Sequence, residues 1–500
     1  MTSFRTGYIL GADIGTSSCK TVLTDNQGRA IATASEEYPC LYPSPGFVEQ
    51  DPETWYEAFC VTARHVVRAG NVDPADLKAI CVVGVTHNPV LLDSNQKLLR
   101  NAIHFWDKRS VKQVSQIKTR WGEEVRDRTL NALDPLWTWP QLLWIRDSEP
   151  DVWDAIAHLL FPKDYVRHRL VSSLYTDTVD PTGTLLYDPR RSEWIQEFVE
   201  DLGIPISALP KVRRPDTIAG GLSSQAAADT GLVAGTAVLT GTTDTAAELI
   251  GAGAVTNGQA VVKLASVGRI MMVMDEPLRD PAILNYPHVV DGLWYPGSVT
   301  KYGAGAYSWA RKTLWSDLEE DGVYQKMDAT AAEVPAGSVG VFFHPHLAGE
   351  YAPQWDTKLR ASFVGLSVQH TRAHLTRAVL EGVAFQVRSA FSQVLDRGGV
   401  CREVRLIGGG AKSELWAQIM ADVLELELLV PEQKSAAYGA CLLAGKATGL
   451  FLLESDALIK TKHYYPDRER RDLYGRLFVT YQELDKALGD ISHQIEDLGT

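Results

Sequence analysis

A strand–turn–strand opening that returns in the second half of the chain limits the fold more than any other feature. Residues 8–13 form a short apolar run that stops at Gly15-Thr16-Ser17-Ser18, and residues 20–24 alternate after it. The turn signal Asp25-Asn26-Gln27-Gly28 precedes a further run at 30–34. The rhythm reappears at 259–264 and 269–274, on either side of Ala265-Ser266-Val267-Gly268. The echo lies in pattern and not in residue identity.

Between these runs, residues 52–68, 139–153, 371–388 and 412–423 carry helical spacing, and 79–85 and 405–407 read as strands. Strands alternating with helices imply an α/β architecture with covered sheets. Two such halves face a central cleft, where ligand sites concentrate. The Gly- and Ala-rich stretch 249–258 reads as the boundary. The expected division is an N-terminal domain over 1–250, a C-terminal domain over 251–455 and a helical tail over 456–500. A length of 500 residues agrees, because one domain holds roughly 100–200.

Charge and apolar runs exclude several classes. With 49 basic and 62 acidic side chains the net charge is −13, so no nucleic-acid partner is expected. No apolar run approaches the ~20 residues of a spanning helix, and the run after the first six residues is too short for a signal-peptide core. The six cysteines are scattered without a C-x-x-C pair, as in a reduced cytoplasmic protein.

Three turns carry the chemistry. Gly15 lets the backbone approach a ligand, and the N–H groups and hydroxyls of Thr16 and Ser17 suit phosphate oxygens. Asp13 beside them would repel phosphate unless a hard cation lay between, so the motif suggests a Mg-nucleotide site; a polar hairpin turn is the bland alternative. In Leu239-Thr240-Gly241-Thr242-Thr243-Asp244 an acid follows an apolar strand. Asp244 can take a proton from a substrate hydroxyl, or cap the next helix, or both. The run Gly408-Gly409-Gly410-Ala411-Lys412-Ser413 allows close approach to a base or sugar, but fits neither a dinucleotide fingerprint nor a P-loop. His344 and His346 lack metal-ligand spacing, Trp144 and Trp416 sit on apolar helix faces, and the acidic run 317–321 reads as solvated surface.

In order and spacing, these motifs resemble the FGGY carbohydrate kinases of the actin and ribonuclease-H-like superfamily, over nearly the whole chain. Further agreement lies in Gly46-Phe-Val-Glu-Gln-Asp-Pro-Glu-Thr-Trp55, Pro162-Lys-Asp-Tyr165, Gly183-Thr-Leu-Leu186, residues 366–374, Glu381-Gly-Val-Ala384 and residues 408–418. The xylulokinase branch is nearest, through 162–165 and 176–188. The resemblance implies two ribonuclease-H-like domains, with ATP and a small sugar meeting in the cleft. It implies Asp13 on Mg²⁺, and Gly15, Thr16 and Ser17 on the phosphates. Asp244 becomes the general base. Ser266 and Gly268 form a second phosphate turn. Gly409, Gly410, Ala411 and Ser413 border the adenosine, with Gly303 and Gly305 on the opposite wall. His87, Asn88, Phe105, Trp106, Asp107 and Arg109 line the sugar pocket. A homodimer is compatible with the family.

The chain departs from the family at three places. Ala265-Ser266-Val267 replaces the usual Gly-Thr-Ser, Phe105 replaces a usual Trp, and Thr86-His87-Asn88-Pro89 stands where xylulokinases carry Gln-Met-His-Gly. D-xylulose is the leading substrate expectation, with another ketose or a short polyol as alternatives. A sugar-independent ATPase and a catalytically weak sugar sensor are the readings from other classes.

Overall fold

The computed structural model describes residues 7–318, 321–450 and 459–498. The first six residues, Glu319 and Glu320 of the acidic run, and the expected cut at 455/456 lie outside them. In chain order the main elements are β1 (Tyr8–Ile14), β2 (Ser18–Thr24), β3 (Ala30–Glu37), α1 (Pro52–Ala69), β4 (Leu77–Gly84), α2 (Pro162–Val171), β5 (Ile218–Gly221), β6 (Ala237–Leu239) and α3 (Asp244–Ala252). There follow β7 (Gln259–Leu264), β8 (Gly268–Met272), β9 (Gly297–Thr300), α4 (Ala304–Leu314), α5 (Arg372–Leu395), β10 (Glu403–Ile407), α6 (Glu414–Leu424), β11 (Leu428–Pro431), α7 (Ala436–Ala447), β12 (Thr461–Tyr464) and α8 (Arg468–Asp497). The helical pattern at 139–153 splits in two at Pro150, whose ring cannot continue a helix.

Two compact units result. The first contains residues up to Val255 together with Asn285–Leu293 and Gln433–Lys460. Its sheet runs β5-β6-β4-β1-β2-β3. β1 and β6 lie parallel to β4, whereas β1-β2-β3 is an antiparallel meander. Successive β1 side chains face opposite ways. Leu10 and Ala12 enter a core with Trp55, Phe59 and Ala63 of α1. Gly11 faces α7, where an added Cβ would lie 2.2 Å from the Ala437 carbonyl oxygen. Gly439 of α7 is as tight against α3, with 1.8 Å to the Ala247 carbonyl. These approaches place α7 in the first unit, and correct the expected continuous domain over 251–455.

The second unit contains Thr256–Leu284, Trp294–Glu432 and the chain from Thr461 onward. Its sheet runs β9-β8-β7-β10-β11-β12 and, read from β12 to β9, repeats the first strand for strand in direction. Residues 456–500 are not a separate tail. Tyr474, Phe478 and Tyr481 of α8 join the second core with Phe385, Phe391 and Trp416. Each buried aromatic of this kind contributes about 1.5–3 kcal/mol. No helix among the described residues is long and apolar enough to cross a membrane.

Candidate active site

In the first unit three parallel strands, β6, β4 and β1, end on one edge of the sheet. Asp13 is in register with Val83, and Gly84 bridges Thr243. Neighbouring strands stand about 4.8 Å apart, so Asp13 and the start of α3 are roughly two strand spacings from each other. Gly241 has φ 78°, and an added Cβ would lie 1.9 Å from the Val82 carbonyl oxygen. Only glycine lets the 241–244 turn sit that close to β4.

The cap of α3 is Thr243, whose hydroxyl accepts the Ala246 N–H. Asp244 is the first helical residue and is not spent on the cap. Its Oδ1 accepts the Thr245 N–H at 2.6 Å and the Thr245 hydroxyl at 3.1 Å. This fixes the carboxylate plane through Oδ1.

The 15–18 turn has its acceptors tied away from the ligand side. The Gly15 carbonyl accepts the Tyr38 hydroxyl, the Thr16 carbonyl accepts Gln50 Nε2 at 2.7 Å, and the Ser17 carbonyl accepts the Tyr38 N–H. Burial pushes the Tyr38 phenol well above its usual range, so it stays a donor. A turn stripped of outward carbonyls favours an anion.

His87, Phe105 and Trp106 gather in one aromatic cluster. The His87 ring lies 6.3 Å from Phe105 and 5.0 Å from Trp137, and Phe105 lies 5.3 Å from Trp106. Trp106 is 53% exposed, while Asn88 is fully buried. Both amide atoms of Asn88 lack a protein hydrogen bond. Leaving such a group unpaired costs ~1–3 kcal/mol per atom, so the site calls for a polar ligand. His104 joins the cluster, 4.4 Å from Phe105, and burial lowers its pKa to about 4.

Asp107 and Arg109, expected beside the sugar, bond each other. Asp107 accepts Val48 N–H, Arg109 N–H and two Arg109 guanidinium nitrogens. Arg109 also donates to Glu49 and lies over Phe47 at 4.0 Å and Trp144 at 4.7 Å. The pair is spent on bracing the 47–49 segment. Trp144 is thus partly a lid on a cation as well as core.

Beneath His87 lies a group that carries no assignment from sequence. Asp180 Oδ1 accepts the His87 N–H at 2.9 Å, and Arg167 Nη1 donates to the Thr240 carbonyl at 2.6 Å. Lys163, Asp164 and Asp177 complete it. Burial foremost lifts the Asp180 carboxyl to about 7, against the pull of Lys163. Trp137, Tyr38 and Gln50 were also missed. The motifs around 162–165 and 183–186 were the available signal for the charged group.

In the second unit the 265–267 turn follows β7. Gly303 and Gly305 N–H groups donate to the Ser266 carbonyl at 2.9 and 3.2 Å. A Cβ on Gly303 would meet the Val267 carbonyl oxygen at 2.7 Å. These glycines therefore support the turn through their backbone. A Cβ on Gly268 would press on Thr300 Oγ1 at 2.4 Å. Ser266 and Val267 stay exposed.

The glycine run lies beside this turn, because β7 and β10 pair in parallel up to Lys263 and Ile407. Cβ atoms on Gly408 and Gly410 would strike Leu264, whereas Gly409 has open space. Ala411 is buried. Ser413 caps α6 by accepting the Trp416 N–H at 3.1 Å, so its hydroxyl has a structural task.

Metal chemistry has one suitable ligand. Among the described residues no group of three or more His, Cys, Asp or Glu could hold a metal. Asp13 alone at a strand end, beside a phosphate-type turn, fits Mg²⁺, which keeps waters and takes one or two carboxylates plus phosphate oxygens. The two close histidines have other uses. His344 bonds the Tyr481 carbonyl at 3.2 Å, and His346 bridges Glu350 and Asp485 at 3.1 and 2.7 Å. In the acidic run, exposed Asp317 pairs with Arg372 at 2.9 Å.

Comparison with known proteins agrees with this fold. Residues 8–251 match the model of the FGGY family of carbohydrate kinases, N-terminal domain, and residues 268–448 match its C-terminal domain. The chain belongs to the FGGY family of carbohydrate kinases, and it has that family's two-domain α/β fold. It is 31% identical over 492 residues to the xylulose kinase of Bacillus subtilis (strain 168), covering 97% of this chain and 98% of that one. The structure of ligand-bound xylulose kinase from Lactobacillus acidophilus superposes with a TM-score of 0.89 at 28% identity, over 98% of this chain and all of that one (100%). Gluconate kinase from the same organism has a TM-score of 0.89 at 27% identity, over 98% and 100%.

Proposed function

We propose that this sugar kinase phosphorylates a terminal hydroxyl of a small open-chain polyhydroxy compound, with D-xylulose the first candidate. The observation that carries the reading is Asp244, freed from capping by Thr243 and turned by Thr245, on the same sheet edge as His87 and the unpaired amide of Asn88. A hydroxyl can satisfy both amide atoms of Asn88 in turn, as donor and acceptor, which an apolar ligand cannot do. The relatives named for xylulose and for gluconate both point to a chain of hydroxyls with a free end.

In this reading ATP is the phosphoryl donor. In the first unit Thr16 and Ser17 form a phosphate-binding turn, and in the second Ser266 and the backbone of 265–268 form another of the same kind. Gly409 and Gly410 take the flat face of the adenosine. Asp13 would hold Mg²⁺ through water; the ion, when bound, neutralises charge on the phosphate oxygens. Asp244 Oδ2 accepts the proton of the attacking hydroxyl as the new O–P bond forms and the bond to the leaving ADP oxygen breaks. Such a transition state is loose, so the residues mainly position groups.

The test is ADP release across a panel of ketoses, sugar acids, aldoses and polyols. The expected outcome is the highest kcat/KM with D-xylulose. A higher value with D-gluconate would replace the substrate and keep the mechanism. Release that ignores every sugar would overturn the reading. His87→Ala is expected to reorder the panel while leaving the KM for ATP within about threefold. An unchanged order with weakened ATP would remove His87 from the sugar wall.

A further inference from the structure

Five charged side chains lie fully buried in the first unit: Lys163, Asp164 and Arg167 of α2, with Asp177 and Asp180. Desolvating such ions costs several kcal/mol each, and apolar packing often serves stability as well or better. Their contacts show another use. Asp180 Oδ1 accepts the His87 N–H at 2.9 Å, and Asp180 Oδ2 pairs with Lys163 Nζ at 3.1 Å. Lys163 Nζ donates to Asp164 Oδ1 at 2.7 Å, and Arg167 Nη1 donates to that same oxygen at 2.8 Å. Arg167 Nη1 also donates to the Thr240 carbonyl at 2.6 Å.

An unbroken polar chain thus runs from the His87 backbone to Thr240, at the head of the turn that carries Asp244. Both ends are constrained. His87 sits in the left-handed region at φ 51°, and a Cβ on Gly183 would lie 2.4 Å from its ring. Gly241, next to Thr240, is pressed onto β4.

We propose that this buried ion network is a common mount for the two loops, and that Asp180 and Arg167 are positioning residues that couple the sugar wall to the base. The proposal rests on the reading of His87 and Asp244 given above. If one mount holds both loops, disturbance at either end must reach the other.

Hydrogen–deuterium exchange on the full chain tests this without substrate. Asp180→Asn keeps an acceptor for the His87 N–H but removes the charge from Lys163. Arg167→Lys keeps a cation but loses the Nη1 bond to the Thr240 carbonyl. Each variant is expected to speed exchange by about two- to thirtyfold in peptides from both 85–90 and 240–246. Faster exchange confined to the variant's own loop overturns the proposal. So does a rise spread evenly over the unit, which marks a purely structural role.

Kinetics supply the second arm. Asp180→Asn and Arg167→Lys should each raise the sugar KM and lower kcat, by about two- to thirtyfold, with the KM for ATP unchanged. In the double variant the loss in kcat/KM should fall short of the product of the single losses. Multiplying losses would mean two independent supports. A wild-type chain without sugar-dependent ADP release would count against the kinase reading of Asp244, and the exchange result would still decide the network.

Discussion

The two sheets share six strands in the same relative directions, yet their strand ends differ in kind. In the first, β1 ends with Asp13 before a Gly-Thr-Ser-Ser turn, and β6 leads to Asp244. In the second, β7 ends at Ala265-Ser266-Val267 and β10 at the glycine run. One topology thus presents acids on one side and small, uncharged backbone on the other. Parallel strand ends and tight turns supply a place for phosphate in both. On the proposed reading, side chains then separate a unit that moves a proton from a unit that holds a nucleotide. The buried charges divide likewise. Those of the first unit lie under its turns, whereas Glu381, Arg377 and Tyr474 of the second hold α8 to α5.

The contrast is most severely tested at Asp244. Asp244→Asn should lower turnover by ~10²–10⁴ while sugar affinity changes much less. Near wild-type turnover in a folded variant would return the proton chemistry to some other group. Next in size is Asp13→Ala. It should raise the Mg²⁺ concentration needed for half-maximal rate and cut the rate by about ten- to a hundredfold, as for charge-assisted bonds worth ~1.5–3 kcal/mol. An unmoved Mg²⁺ titration would leave Asp13 as a turn former only. Ser266→Ala should cost about tenfold in kcat/KM, near the lower limit for a bond to a charged group. Full activity would mean that backbone N–H groups alone serve the second turn.

A smaller effect belongs to the second unit's own charges. Burial opposes the His346 cation, but Asp485 and Glu350 outweigh it and raise the pKa to about 9. A histidine raised in the folded state stabilises fully below its unfolded pKa of ~6.5 and loses that contribution as pH climbs through about 9. Melting temperature should therefore fall on the alkaline side by a few degrees, and His346→Gln should flatten that fall. A variant with the same alkaline slope would place the titration elsewhere. The smallest change expected is Val267→Ser, which restores a hydroxyl to the second turn. It should alter kcat/KM by no more than about threefold, upward; a clear loss would show that Val267 packs on the ligand.

Where local pattern decides, the sequence was legible. The opening meander and α1 follow from apolar period and from Gly-rich turns. The placement of Asp244 was half legible, because Thr243 and Asp244 are both good caps and only the structure shows which one fills the position. Asp107 and Arg109 look like binding residues beside aromatics, but pattern cannot show that a carboxylate spends its oxygens on its own neighbour. The α7 sequence, rich in Ala and Gly, announces close packing without naming β1 and α3 as partners. The network of Lys163, Arg167 and Asp180 was hidden for the same reason: its links join residues far apart in the chain.

The lodging of α7 against Gly11 bears on how the protein is made. The first unit cannot bury β1 and α3 until Ala447 has been synthesised, roughly 195 residues after Ala252. At about 5–20 residues per second, this takes ~10–40 s. For that time the ribosome carries a sheet with one helix missing and its apolar groove open. During that interval the strands of the second unit are synthesised while the first unit is unfinished.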